Sequence, residues 1–299
     1  MTTIRINQGK KNSSAITKYL SLIKFSHTVF ALPFALIGFL LGVTYADHTF
    51  QWHLLLLMLL CMVFARSAAM AFNRYLDRRY DALNPRTAIR EIPAGKISPR
   101  NALIFTIINC ILFIAVTRFI NPICFYLSPV ALFVILFYSY TKRFTALCHL
   151  VLGVGLGLAP IGAYLAVTGV FNIIPLLFSF AVFCWTSGFD IIYALQDEAF
   201  DKSQQLHSIP AKLGARRALW VSNILHLCAA GFVIAAGLLA PLGWLYWIGA
   251  ACFIGLLIYQ HLLVKPNDLS KVNIAFAHTN GVASIVLAVC TILDRILFV

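Results

Sequence analysis

Charge is scarce in this sequence of 299 residues: Asp, Glu, Lys and Arg make up 11% of it, and only ten residues are acidic. Soluble chains carry roughly 25% charged residues. With 61% of the residues hydrophobic, a water-soluble domain has too little polar surface to cover its core. What remains is a helical bundle in a bilayer, where each backbone polar group bonds within its own helix. The eight cysteines form no CxxC pair and lie scattered, mostly inside apolar runs, which suggests neither a zinc site nor a disulfide framework. The eight histidines have no ligand spacing and read as interfacial or packing residues. The first apolar segment is too long for a signal-peptide core and has no small-residue cleavage site, so it reads as a retained span.

A spanning helix needs about 20 mainly apolar residues. Nine segments qualify, at 27–46, 53–74, 101–119, 122–140, 146–168, 174–196, 217–239, 243–264 and 273–293, and residues 15–25 read as a short amphipathic lead-in on the membrane surface. The expected fold is all-α, a single polytopic domain over 1–299, with two long motif loops at about 74–100 and 197–216. The net charge of +13 could suggest nucleic acid, but its distribution excludes that reading. Every Lys and Arg except Arg66, Arg118 and Arg295 falls in the N-terminal stretch or the loops after the second, fourth, sixth and eighth spans. Basic residues mark the cytoplasmic side, so the N-terminus and both motif loops are expected to face the cytoplasm of a cell inner membrane.

Seven of the ten acids gather at those two loops. The first cluster reads Asn73-Arg-Tyr-Leu-Asp77-Arg-Arg-Tyr-Asp81, three oxygen donors four residues apart and therefore on one helical face. In the second, Asp190, Asp197 and Asp201 fall within roughly 40° of each other at 100° per residue. Carboxylates that share a face repel unless a cation lies between them, and oxygen-only ligands suit Mg²⁺ bridging to substrate phosphates. Ile92-Pro93-Ala94 follows the first cluster and Ile209-Pro210-Ala211 the second, which hints at an internal duplication with a site at the repeat interface. Arg66 lies two turns deeper than Asn73 and nearly on the same face, placed to grip a carboxylate with its two-pronged guanidinium. Tyr138, Tyr140 and Tyr193 are candidates to offer ring faces to a cation.

The segments Arg66-Ser-Ala-Ala-Met-Ala-Phe-Asn73-Arg-Tyr-Leu-Asp77-Arg-Arg-Tyr-Asp81, Asn84-Pro-Arg86-Thr-Ala-Ile-Arg90, Tyr138-Ser-Tyr-Thr-Lys142-Arg143 and Asp190 to Asp201 resemble the UbiA family of intramembrane prenyltransferases, and the likeness runs from Leu22 to the last helix. The resemblance implies nine helices around a central cavity with a cytoplasmic cap. It implies an enzyme that uses Mg²⁺ to transfer a polyprenyl group from polyprenyl diphosphate to a small aromatic acid in respiratory quinone synthesis. Asn73, Asp77 and Asp81 match the first metal motif and Asp190, Asp197 and Asp201 the second. Lys142 and Arg143 match the family's basic pair, Arg66 its buried arginine, and Tyr193 lies in the second motif among the substrate-binding candidates. Two acceptors stay open. Members of the 4-hydroxybenzoate type tend to carry Lys-Arg-Thr and Asn-Arg-Pro-Leu-Pro where this chain has Pro85-Arg86-Thr87 and Arg90-Glu91-Ile92-Pro93. Those departures look more like the branch that prenylates a dihydroxynaphthoate for menaquinone. The rival class is a membrane transporter, for which the sequence offers no pair of broken helices.

Overall fold

The computed structural model describes residues 15–22 and 30–298, and among them it is helical, with one isolated bridge between Lys265 and Asp268. Its helices are α1 (Ala15–Leu22), α2 (Leu32–Thr44), α3 (Trp52–Leu83), α4 (Pro99–Thr117), α5 (Pro122–Thr141), α6 (Cys148–Thr168), α7 (Ile173–Ala194), α8 (Glu198–Ser203), α9 (Ile209–Leu213), α10 (Ala215–Leu239), α11 (Trp244–Leu263) and α12 (Asn280–Leu297). Eight are long and apolar enough to cross a membrane, and α2, with 13 residues, is shorter. The described spans thus follow the sequence reading closely, except that α2 is shorter than expected and residues 23–29, where the lead-in ends and the first span begins, lie outside the described residues.

Local chemistry sets the helix starts. Pro99, Pro122 and Pro210 stand in first turns, where a missing N–H costs nothing. Ser98, Asn121, Asn172 and Ser208 cap their helices by accepting from Asn101, Cys124, Ile174 and Ala211 N–H. The helix α3, with 32 residues, is about 48 Å long. That exceeds a hydrocarbon core of about 30 Å, so its last turns carry Asp77 and Asp81 out of the apolar layer. The first motif loop therefore begins at Asn84, since the expected loop residues 74–83 are helix.

Lipid tails are as apolar as leucine, so close fit and polar contacts, rather than exclusion of water, hold the helices together. The most buried helix, α7, packs between α6 and α10. At its centre the fully buried Trp185 donates its indole N–H to Asn280 Oδ1 at 2.8 Å, and Gln260 Nε2 donates to the same oxygen at 2.7 Å. Gly38 of α2 lies so close to α6 that a Cβ would stand 2.0 Å from the Pro160 carbonyl oxygen. Before α12, Ile274–Thr279 forms a π-helical turn, whose extra residue brings Phe276 within 4.2 Å of the Tyr193 ring centroid and 5.5 Å of Phe189.

The connections 84–98, 142–147 and 195–214 meet at one end, called here the cap end: Arg86 reaches Asp197, and Lys142 reaches Asp201. Ile92 and Ile209, the two isoleucines of the sequence echo, are both buried and anchor the two halves of the cap to the bundle. The described part of the lead-in, α1, also packs here, with Tyr19 against Phe105 and Leu22 buried. At the far end Arg295 donates to the Pro241 carbonyl at 2.7 Å and to Thr44 Oγ1 and O at 3.1 and 3.2 Å. Asp294 accepts from the Gly243 amide there at 2.6 Å.

Candidate active site

A cavity of about 960 Å³ runs between α3, α5 and α6, from the cap to the far-end connections. Its head is polar: Arg66, Asn73 and Arg74 from α3, Asp190 and Tyr193 from α7, and Arg86, Arg90 and Lys96 from the cap loop. Its lower part is apolar, with Met58, Leu127, Ala131 and Leu165 among its walls. Tyr138 and Phe189 stand near the head and Phe276 beside them, so ring faces surround the place where polar and apolar parts meet. Tyr140 is not among the lining residues; it is 43% exposed and packs on Phe72.

The first motif holds together as its spacing requires. Asn73 Nδ2 donates to Asp77 Oδ2 at 3.1 Å, one turn on. Asp77 Oδ1 accepts from Arg143 Nη2 at 2.9 Å, and Asp81 Oδ1 from Arg90 Nη1 at 2.5 Å. The second oxygen of Asp81 is buried with no hydrogen-bond partner.

The second motif departs from the expected single acidic face. The helix tightens to a 3₁₀ turn at Leu195–Asp197 and restarts as α8, so 100° per residue no longer holds across it. Its three aspartates go to three different partners. Asp190 Oδ2 accepts from His149 Nδ1 at 2.7 Å. His149 Nε2 in turn lies 3.3 Å from the Ile209 amide nitrogen. Asp197 binds Arg86 through both carboxylate oxygens and accepts from Asn84 Nδ2 at 3.1 Å. Asp201, fully buried, sits 2.7 Å from Lys142 Nζ and accepts from Ser208 Oγ at 2.8 Å; of the six motif residues only Asn73 and Asp190 line the cavity, and Asp77, Asp81, Asp197 and Asp201 stand behind its wall. Among the described residues no three His, Cys, Asp or Glu side chains converge in the manner of a closed metal cage.

The basic partners tie the cap to the bundle. Burial draws the Lys142 ammonium down, but attraction to Asp201 and a hydrogen bond donated to it outweigh that and raise the lysine above its ordinary value. Arg86 is likewise raised: burial opposes its charge, and Asp197 and Tyr193 more than offset it. Arg86 Nη1 donates to Tyr193 Oη at 2.8 Å with its guanidinium 5.2 Å from that ring's centroid. Two cations stand apart. The Nε atoms of Arg66 and of the buried Arg74 are shut from solvent without a hydrogen-bond partner, and both side chains line the cavity. Sequence reasoning reached Arg66 by its depth in the span. It did not reach His149, whose partner lies 41 residues away, nor single out Arg74 among its charged neighbours.

The profile of the UbiA prenyltransferase family matches residues 31–282. The chain belongs to that family. A 4-hydroxybenzoate octaprenyltransferase of Nitrosospira multiformis is 30% identical over 235 residues, 79% of this chain and 81% of that one. The apo structure of a UbiA homolog from Aeropyrum pernix K1 matches with a TM-score of 0.81 at 33% identity, over 90% of this chain and 98% of that one. A UbiA homolog from Archaeoglobus fulgidus, solved with GPP and Mg²⁺, shares the fold with a TM-score of 0.64 at 24% identity, over 90% and 99% of the two chains. This UbiA-family chain is accordingly a multi-pass membrane prenyltransferase, and the transporter alternative falls.

Proposed function

We propose that the protein transfers a polyprenyl group from its diphosphate to 4-hydroxybenzoate, at the ring carbon ortho to the hydroxyl, in ubiquinone synthesis. The observation that carries this reading is the head of the cavity, where acidic and amide oxygens (Asn73, Asp190) stand beside two arginines, Arg66 and Arg74, each with an unpartnered Nε. A guanidinium in that state is costly unless an anion joins it, and both substrates bring one. The octaprenyltransferase relative supplies the choice of 4-hydroxybenzoate over a dihydroxynaphthoate.

The donor set suits magnesium. It is all oxygen, one buried oxygen of Asp81 has no partner, Asp77, Asp81 and Asp197 are paired with arginines whose long side chains can swing aside for a ligand, and Asp190 is held by His149. Mg²⁺ keeps several waters and needs only one or two protein carboxylates when it bridges phosphates, so the lack of a three-acid cluster is no obstacle. Asn73, Asp77 and Asp81 would hold it on one side, Asp190 and Asp197 on the other; bound there, it would offset the charge that grows on the departing diphosphate. Asp201, matched to the second motif by resemblance, is better read as the brace that holds Lys142 and the cap together.

The chain's own residues do the rest. Arg86, Arg90, Arg143 and Lys96 add positive charge around the leaving diphosphate. Tyr138, Phe189, Tyr193 and Phe276 face the allylic cation with ring faces and keep water from it. Arg66 orients the acceptor by its carboxylate; once the allylic C–O bond has broken and its electron pair has left with the diphosphate, the ring carbon forms the new C–C bond, and the ring proton passes to the released diphosphate. A cytoplasmic position for the cap, in an inner membrane, is supported by the Lys and Arg distribution. The test is incorporation of a radiolabelled polyprenyl diphosphate in membranes, with Mg²⁺ and either 4-hydroxybenzoate or a dihydroxynaphthoate. Product from 4-hydroxybenzoate that vanishes with chelator is expected; product from the naphthoate alone would overturn the acceptor.

A further inference from the structure

The π-helical turn before α12 is held open by side chains. Thr279 Oγ1 donates to the Ile274 carbonyl at 3.1 Å, and Asn280 Nδ2 donates to the carbonyls of Ala275 at 3.2 Å and Phe276 at 2.9 Å. Three successive carbonyls of the turn Ile274–Thr279 thus accept from two successive side chains, four or five residues further on. A π turn is rare and tends to occur where a helix serves a site. In a regular helix Asn280 would share a face with Phe276, four residues before it. Asn273, Phe276 and Ala277 line the cavity, and Asn280 does not; the added residue turns it away into the bundle.

The other half of the Asn280 amide is engaged as well. Its Oδ1 accepts from Trp185 on α7 and from Gln260 on α11, at 2.8 and 2.7 Å. An indole N–H only donates and a main-chain carbonyl only accepts, so the amide has one orientation in which all four bonds form. Gln260 supports that orientation although its own Oε1 is buried without a partner. A fully buried amide in a membrane helix is costly and points to function, since packing alone would be served by an apolar side chain of the same size. What the amide governs is Phe276. One carbonyl it grips belongs to Phe276 itself, and that ring's centroid lies 4.2 Å from Tyr193 and 5.5 Å from both Phe189 and Phe30, all four lining the cavity. Trp185 supports the same rings from behind, edge-on to Phe189 at 5.0 Å.

We propose that Asn280 is a positioning residue for prenyl transfer: it holds the π turn open, and the turn presents the Phe276 ring to the allylic carbon when the diphosphate leaves. The inference rests on the prenyltransferase reading above. The allylic cation has two fates. The acceptor's ring carbon can form a C–C bond to it and lose a proton to the released diphosphate, or water can form a C–O bond, lose a proton and release the free prenol. A ring held against the cation attracts its charge through the ring face and occupies the space that water would take. Were the turn to relax to a regular helix, the residues before it would rotate against α12 by about 100°, and Phe276 would leave Tyr193.

The test uses the full chain in lipid nanodiscs with Mg²⁺, the aromatic acid that wild type accepts and a polyprenyl diphosphate radiolabelled in its tail, and counts two products, the prenylated acid and the prenol. Asn280→Ala should slow transfer by about ten- to a hundredfold, the scale of a misplaced group at a reacting centre, and raise the prenol share. Phe276→Leu should raise that share too, and the double variant should match Phe276→Leu alone, because both residues act through one ring. Trp185→Phe removes one of the two bonds to Asn280 Oδ1 and should give a smaller rise; it carries the test if Asn280→Ala does not accumulate in the membrane. Tyr246→Phe removes a buried hydrogen bond to the Val233 carbonyl, at 2.6 Å and away from the cavity wall. It should lower stability and leave the product ratio alone. An unchanged ratio in Asn280→Ala (or in Trp185→Phe where that variant alone accumulates), additive effects in the double variant, or failure of both single variants to accumulate would overturn the proposal and leave Asn280 a packing residue. A wild type that consumes no donor would overturn the prenyltransferase reading itself.

Discussion

At the far end of the bundle Arg295 and Asp294 are satisfied almost wholly by main chain: Pro241 and Thr44 carbonyls for one, Gly243 and Tyr246 amides for the other. At the cap end most charges are paired with one another, as Arg90–Asp81, Arg86–Asp197, Lys142–Asp201 and Arg143–Asp77, and of these four cations Arg143 alone also donates to helix carbonyls, those of Ser139 and Leu76. A main-chain group cannot swing away from its partner as a long side chain can, so the far-end contacts fix geometry. A long basic side chain can exchange a carboxylate for a diphosphate at modest cost, so the cap-end contacts form a rim that a charged substrate can reorganise. The unpartnered Arg66 and Arg74 Nε atoms and Asp81 Oδ2 all occur at the cap-end half, where a ligand would complete them.

The sharpest way to break this contrast is to remove one acid from each motif. Asp77→Ala and Asp197→Ala should each lower prenyl transfer by at least ~100-fold, the loss of one preorganised charge-stabilising group, with normal accumulation in the membrane. Near-normal turnover in either would make its motif structural. Next, Arg66→Lys keeps the charge and loses the two-pronged geometry. A lost charge-assisted bond of about 1.5–3 kcal/mol should raise the acceptor KM roughly 10- to 150-fold, with the donor KM unchanged. A rise in the donor KM alone would assign Arg66 to the diphosphate.

Arg295→Met should do the opposite of both. It should cost about 2 kcal/mol of stability, seen as a lower melting temperature in detergent, and leave both KM values alone. The smallest effect concerns Lys142. Because Asp201 raises the folded-state ammonium above its ordinary value near 10.5, its contribution is fully present below that pH and fades as the pH climbs through the higher folded value. The difference in melting temperature between wild type and Lys142→Met should therefore hold from pH 7 to 10 and shrink above it. A difference that does not vary with pH would show that packing of the lysine stem, rather than the ion pair, joins the cap to α5.

Residues that act through local periodicity were legible before any coordinates. The spans follow from apolar runs, and Asn73, Asp77 and Asp81 from a spacing of four on a helix that stays regular to Leu83. The second motif was legible in composition but not in shape, because the same spacing argument presumes a regular helix and Leu195–Asp197 is not one. His149 was passed over for a different reason. Its meaning lies in Asp190 and the Ile209 amide, on segments that only the packing of α6 and α7 and the folding of the cap bring near.

The contact between Arg295 and Thr44 joins residues 251 positions apart, and α12 packs along α2. The bundle is thus a ring in which α2 and the last helix are neighbours. A chain made from its N-terminus forward can seat α2 against α6 once α6 has entered the bilayer, but α2 must wait for almost the whole of synthesis to meet its other neighbour. Closure of the ring is therefore a late event in biogenesis. A ribosome stalled before α12 would leave a bundle with α2 uncovered on one side, a surface on which the membrane's quality-control proteases could tell an unfinished molecule from a finished one.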